Sequence, residues 1–522
     1  MNNISNKLFI LFLAALFLTV SCKTETKKIE TANKYVIPEL PDVKITSVTE
    51  ETNFAPHKKV SGIIGNNIKF ELLLPENWNG KFVFGGGGGF VGSVINTALG
   101  YNVLQKGYAT VGTDTGHEGH PADASWAKND LEAIVNFGHL AVHRTTVNSK
   151  AIIEAFYNAP IEYSYFFGCS RGGGQALMEA QRYPDDFDGI VSGAPAYNWT
   201  MGIGAGMTHN QKLMYPNEDQ LGKALITKED LEIVENAILN SCDELDGIKD
   251  GILNNPLACD FDLATLICGN NSNDDNCLSA EKINVIQSIY DGPKDKNEND
   301  LFYGLPYGGE TDPDGWFKWI TGGLDYVEEV NEFQAGVSSE IEAPVIPNAQ
   351  YGFGPGVLKY MIFHDEEWSM IDYDLNDLLI DARMLAPVLN ATDPDLSKYR
   401  NNGGKLLMYT GWSDAAITAL GTIGYYEKVL EHDASAEQDV KLFMMPGVLH
   451  CAGGPGPWWV NWIDEIDKWV TSKESPEQIP VYFVDEKMQI SGSRMLCSYP
   501  DIPTYNGKGD VRNMESFSCR NK

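Results

Sequence analysis

The sequence predicts an α/β fold, a mostly parallel central sheet with helices on both faces and a large inserted lid domain. Three observations predict it. Apolar, β-rich runs alternate with helical periods as far as residue 192; the alternation lapses after Ala196 and resumes near Lys405; and a Gly-x-Ser-x-Gly segment stands where one such run passes into a helix.

Taken in order, 67–74 and 81–84 read as strands, ended by Pro75 and by the glycine tract 85–89. Residues 108–113 read as a strand, 131–157 carry a helical period, and 164–168 form a short β-rich run. A helix over 175–181 and a buried strand over 189–192 follow. Beyond the interruption, 405–410 and 441–445 are the strands, 418–430 and a stretch around 459–470 the helices. The expected organisation is therefore a catalytic domain made of 35–196 and 394–522, with 197–393 as the lid.

The chain of 522 residues carries 72 acidic and 39 basic side chains, a formal charge of -33 that repels nucleic acid and anionic membrane faces. At the N-terminus Lys7, the apolar run 8–20 and Ser21-Cys22 form the pattern of a lipoprotein signal peptide, 1–22, with Cys22 as the lipidated residue. Residues 23–34 are polar, as a tether would be. The expectation is export to the cell envelope, at the outer membrane or cell surface, with membrane contact only through that anchor; periplasmic or extracellular release is the alternative. Eight cysteines remain without a Cys-x-x-Cys pair, which favours disulfides over metal ligation in an exported chain. Three sequence-local pairs suggest themselves, Cys242 with Cys259, Cys268 with Cys277 and Cys497 with Cys519, leaving Cys169 and Cys451. Spacing does not select this set from the on the order of 100 pairings that eight cysteines allow.

The motif reads Gly168-Cys169-Ser170-Arg171-Gly172. A strand before it and a helix after it make the sharp turn that lifts a serine hydroxyl clear of a sheet, the α/β-hydrolase arrangement. Such a serine needs a base and an acid to orient that base, in the chain order Ser, Asp or Glu, His. Asp414 follows the strand 405–410 and His450 follows 441–445, both on loops at strand C-terminal ends, where α/β sheets place their chemistry. The glycine tract lacks the Lys-Ser/Thr of a phosphate loop. It reads instead as an oxyanion hole, with Gly88 and Gly89 supplying backbone N–H groups beside that of Arg171. No organic cofactor is needed for this chemistry. His117 and His120 lack a third ligand nearby, and the glycines of Gly-His-Glu-Gly-His break the helix a zinc protease would need.

Cys169-Ser170 with Asp414 and His450-Cys451 resembles the Cys-Ser, Asp, His-Cys pattern of the tannase and feruloyl esterase family. The stretches 177–195 and 447–457 look like its signatures, and the likeness covers the whole mature chain. The resemblance implies a disulfide between Cys169 and Cys451. It also implies a structural calcium ion in the lid, held by Asp243, Asp246 and Asp250 with the carbonyls of Ile248 and Ile252. Taken alone, those carboxylates read first as a solvated acidic turn. The substrates implied are aromatic acyl esters: feruloyl or other hydroxycinnamoyl esters of plant polysaccharide first, galloyl esters of tannins or the terephthalate monoester as alternatives. A terephthalate enzyme would pair a lid arginine with the free carboxylate, and Arg383 is the only arginine in 197–393. Trp316, Phe317, Trp319, Phe363 and Trp368 are the lid aromatics expected to stack on a phenolic ring. Gly174 departs from the pattern, standing where many members carry arginine.

Overall fold

Alternate side chains of a strand point to opposite faces, and here both faces are buried. In β4 (Lys81–Gly85), Phe82 and Phe84 enter one core while Val83 enters another; in β8 (Lys405–Gly411), Leu406 and Met408 enter the first and Leu407 and Tyr409 the second. In the computed structural model, which describes residues 36–269, 276–322 and 343–521, these strands belong to a nine-stranded sheet. The signal segment 1–22, Cys22 and the tether lie outside the described residues. Among the described residues no helix is long and apolar enough to cross a membrane.

The remaining strands of the sheet are β1 (Val43–Glu51), β2 (His57–Ile64), β3 (Ile68–Pro75), β5 (Ala109–Thr113), β6 (Tyr163–Cys169), β7 (Gly189–Gly193) and β9 (Val440–Met445). Their spatial order is β1-β2-β3-β5-β4-β6-β7-β8-β9, antiparallel from β1 through β5 and parallel from β5 through β9. This is the α/β-hydrolase sheet. The helices Ala141–Tyr157, Arg171–Arg182 and Ala419–His432 cover one face, and Trp462–Ser472 packs on the other. β7 pairs directly with β8, although all of 194–404 lies between them. That intervening polypeptide contributes most of a third core, around Trp199, Ile286, Trp316, Val357 and Met361, which closes over Phe90 and Phe137 of the first part of the chain.

The strands and helices named from periodicity recur, β1 and β2 join the sheet beside them, and three further differences stand out. The helix expected over 175–181 begins at Arg171, because Gly172, Gly173 and Gly174, poor helix formers alone, are held helical by tight packing. A Cβ on Gly173 would lie 2.1 Å from the Gly193 carbonyl oxygen, and one on Gly174 would lie 2.2 Å from that of Ala196. Gly174 thus lets the helix rest on the backbone after β7. The helical period 131–157 is two helices, Leu131–Val135 and Ala141–Tyr157, joined by a π-helical turn over Asn136–Leu140. Finally, the C-terminal region adds two small sheets that periodicity did not separate: β10 (Gln478–Val484) with β11 (Ile490–Cys497), and β12 (Ile502–Tyr505) with β13 (Phe517–Arg520).

Replacing Gly174 by alanine forces the helix away from Ala196. The expected cost is about 1–3 kcal/mol, typical of overpacking, read as a lower denaturant midpoint at unchanged slope.

Candidate active site

β6 runs into the Arg171–Arg182 helix through one residue, Ser170, whose backbone sits at φ 61° and ψ -121°. That conformation needs close neighbours without side chains. A Cβ on Gly168 would stand 2.4 to 2.6 Å from backbone atoms of Gly172, and one on Gly172 would stand 3.0 Å from the Gly87 carbonyl oxygen. The turn is pinned by hydrogen bonds: Ser170 N–H donates to the Gly193 carbonyl at 3.0 Å, and the Ser170 carbonyl accepts from Gly174 at 3.0 Å and Ala196 at 2.9 Å.

Asp414 follows β8 and His450 follows β9, and their loops are tied together. Trp412 N–H donates to Met445 and Ser413 N–H to Val448, each at 3.0 Å. His450 Nδ1 lies 2.8 Å from Asp414 Oδ2, while Asp414 Oδ1 accepts from the amides of Ala416 at 2.8 Å and Ile417 at 2.9 Å. Three bonds to a buried carboxylate fix the imidazole's orientation. His450 Nε2 is buried without a hydrogen-bond partner and lines one pocket with Ser170, so the sequence-predicted Ser170, Asp414 and His450 are brought together. The Cys169–Cys451 disulfide joins the residue before Ser170 to the residue after His450, with Cα atoms 5.9 Å apart. The other pairs are Cys242–Cys259, Cys268–Cys277 and Cys497–Cys519.

The amides of Gly88 and Gly89 donate to no acceptor among the described residues, and the Arg171 amide, at the first position of its helix, has no acceptor in that helix. Gly89, at φ 52°, lines the pocket with Ser170 and Arg171; the Gly88 carbonyl is used by Val91 N–H at 2.8 Å. The Arg171 side chain turns away and is buried. Its Nη2 donates to the carbonyls of Phe137 and Gly138, both in the π-helical turn, and the guanidinium lies 4.1 Å from the Phe137 ring centroid and 5.3 Å from that of Trp199. A π turn leaves carbonyls out of the regular ladder, and here they receive a cation. Burial draws the Arg171 pKa down, but a guanidinium stays charged.

The pocket is walled by Trp199, Ile203, Met207, Trp319, Phe353 and Ile417. Trp319 meets the His450 ring edge-on at 5.0 Å. Of the aromatics singled out in the sequence, only Trp319 reaches this pocket. Trp316 is buried against Tyr290, Phe363 and Trp368 stack on each other at 5.7 Å, and Phe317 is not in the wall. Trp199 and Phe353 were missed, because they lie in helical turns whose buried face is not told from core by periodicity. Arg383 is exposed, donates to the Ile380 carbonyl at 2.7 Å and does not line the pocket. His117 is stacked on Trp126 at 3.6 Å with Nε2 2.9 Å from the Phe90 carbonyl oxygen, and His120 Nδ1 accepts from Ala122 N–H.

The acidic loop beside Cys242 curls on its own amides. Asp243 accepts from Gly251 at 3.0 Å, Asp246 from Ile248 at 2.9 Å and Asp250 from Ile252 at 3.2 Å; the second Asp250 oxygen pairs with Arg494. Burial, reinforced by the charges on Asp250 and Asp243, pushes the Asp246 carboxyl up to about 6. The carbonyls of Ile248 and Ile252 accept no hydrogen bond from the described residues. Crowded carboxylates beside free carbonyls are a donor set that suits a hard cation.

Removing the Cys169–Cys451 bridge by a Cys169→Ser, Cys451→Ser double substitution is expected to cost about 2–5 kcal/mol of stability. Thermal unfolding without reductant checks this, since the other three bridges remain.

A model of the family described as tannase and feruloyl esterase matches residues 52–520. The chain is 32% identical over 526 residues to a mono(2-hydroxyethyl) terephthalate hydrolase of Piscinibacter sakaiensis, covering 89% of this chain and 84% of that one. It is 33% identical over 472 residues to a probable feruloyl esterase of Arthroderma benhamiae, covering 86% and 81%. In three dimensions it is similar to the crystal structure of feruloyl esterase B from Aspergillus oryzae, with a TM-score of 0.79 at 23% identity, covering 92% of this chain and 98% of that one. With its sheet, its serine turn and its paired cysteines, the chain is a carboxylic ester hydrolase and belongs to the tannase and feruloyl esterase family.

Proposed function

We propose that the chain is an exported serine esterase that hydrolyses hydroxycinnamoyl esters of the feruloyl type by way of an acyl-enzyme. The observation that carries this reading is the meeting of Ser170, an oriented His450 and unpaired amides in one aromatic-walled pocket. His450 takes the Ser170 proton as the hydroxyl attacks the ester carbonyl, and Asp414 holds the Nδ1–H tautomer and stabilises the imidazolium. The tetrahedral oxyanion rests on the amides of Gly89 and Arg171, with Gly88 beside them, each donor worth about 3–4 kcal/mol. His450 then protonates the departing alcohol. Water then enters where the alcohol left and gives its proton to His450 as it attacks the acyl carbonyl, and the acid is freed as Ser170 takes that proton back.

Trp199, Trp319 and Phe353 supply flat apolar faces for an aromatic acyl group. A phenolic acid fits this wall better than an acyl group bearing a free carboxylate, because Arg383 stands outside the pocket. Galloyl esters are the second reading, since a gallate ring meets the same walls. The lipid anchor at Cys22 keeps the enzyme at the cell envelope, where polymeric plant esters are accessible. In the acidic loop Asp243, Asp246 and Asp250, with the Ile248 and Ile252 carbonyls, would hold calcium. Its contribution is charge neutralisation that stiffens the loop, with no part in bond breaking.

Ser170→Ala is expected to lower kcat for methyl ferulate on the order of 10⁶-fold with an unchanged circular dichroism spectrum; retained turnover rejects the triad. In the same assay wild-type kcat/KM should rank methyl ferulate above methyl gallate and the terephthalate monoester, and another order moves the assignment to that substrate.

Chelation is expected to lower Tm and added Ca²⁺ to restore it, by about 2.7 kcal/mol at a hundredfold excess over Kd. Asp246→Asn should abolish the restoration while leaving esterase activity at saturating substrate.

A further inference from the structure

On the face of the sheet behind the pocket, two helices and a turn bring one imidazole and two carboxylates together. His143 comes from the Ala141–Tyr157 helix, Glu179 from the Arg171–Arg182 helix and Asp186 from the turn after it. His143 Nδ1 lies 2.7 Å from Asp186 Oδ2, and one ligand-type atom from each of the three residues falls within 4.8 Å of the others. Glu179 is 1% exposed; neither carboxylate oxygen accepts from a donor group, and the side chain it faces within hydrogen-bond reach is the Asp186 carboxylate. A carboxylate so deep and so poorly bonded is costly as an anion. Burial, with the Asp186 carboxylate beside it, holds its pKa well above the ordinary range.

We propose that His143, Glu179 and Asp186 form a binding site for a divalent transition-metal ion of the zinc class. One imidazole nitrogen with two carboxylate oxygens suits a borderline cation, whereas calcium asks for six to eight oxygens. The donor atoms lie within 4.8 Å of one another, and the His143–Asp186 pair at 2.7 Å would open to the roughly 3.3 Å edge of a tetrahedron with ~2.0 Å arms. The fourth position is left to water.

The neighbouring charges bear on affinity. Lys150 donates to the Asp186 carbonyl and lies 5.6 Å over the Phe187 ring, and its charge opposes a second cation. Asp186, Asp188, Glu154 and Glu179 all face Lys150, so two of the proposed ligands already partly balance its charge. Tyr183 stacks on His143 at 3.9 Å and keeps its hydroxyl on His139, so His139 is not a ligand. A bound ion ties the helix that begins beside Ser170 to its neighbour, and it takes no part in ester chemistry. The inference does not depend on the substrate proposed above.

The test uses the full chain without a histidine tag, stripped by chelator, returned to Ca²⁺ buffer and titrated with Co²⁺. The expected result is one saturable site with visible d–d absorption, displaced by Zn²⁺ and unaffected by Asp246→Asn. Both His143→Ala, at a partly exposed position, and the isosteric Glu179→Gln should weaken it by more than about 100-fold, beyond the roughly 10–100-fold that partners of a ligand cost. Absence of the absorption in the wild-type chain, or its survival in either variant, overturns the assignment.

Discussion

The backbone at Ser170 occupies a positive-φ conformation that a non-glycine residue adopts at a cost of about 1–3 kcal/mol. Much of the site exists to hold it there. Close approach of Gly168, Gly172 and Gly87 makes room for the turn, and hydrogen bonds from Gly174 and Ala196 to the Ser170 carbonyl fix its plane. Gly173 and Gly174 then seat the following helix on the end of β7, so the strain at one residue is balanced by packing over a whole helical turn. With the turn fixed, the hydroxyl and the Arg171 amide point into the same small space. Geometry of this kind is set before a substrate arrives, which is where preorganisation lowers a barrier.

The Cys169–Cys451 bridge extends that constraint to His450. Residues 169 and 451 are 282 positions apart in sequence, and their loops leave different strands of the sheet. Without a covalent tie, the distance between Ser170 and His450 would depend on how four parallel strands twist. With it, each residue is one bond of backbone away from the same disulfide. Arg171 works at right angles to this clamp. Its side chain leaves the pocket floor for the π-helical turn, so the helix that begins beside the serine is also anchored at its base, by a buried cation among carbonyls and aromatic faces.

Local sequence carried much of this. Ser170, Asp414 and His450 were legible because each follows a strand whose period is strong, and because a parallel sheet puts such loops on one edge. The cysteine pairs followed from spacing only in part, and the family pattern was needed for the long-range one. What stayed hidden has a common physical cause. A helix built on Gly172-Gly173-Gly174 contradicts propensity and exists through tertiary contact alone. Trp199 and Phe353 look like ordinary core residues, and only the closing of the insertion over Phe90 brings them beside the serine. Arg383 and the Phe363–Trp368 pair failed for the opposite reason, since residue type suggested a site that the chain path does not supply.

That division follows the architecture. Residues that carry the proposed chemistry sit on short loops at strand ends, where the sheet dictates position to a fraction of a residue. The pocket walls come largely from the polypeptide between β7 and β8, which is held by its two ends, by the packing beneath it and by bonds such as Gln350 Nε2 to the Ala415 carbonyl at 2.9 Å. Trp319 spans the two, edge-on to the His450 ring and stacked on Phe353 at 6.2 Å. It therefore couples the position of the aromatic wall to that of His450.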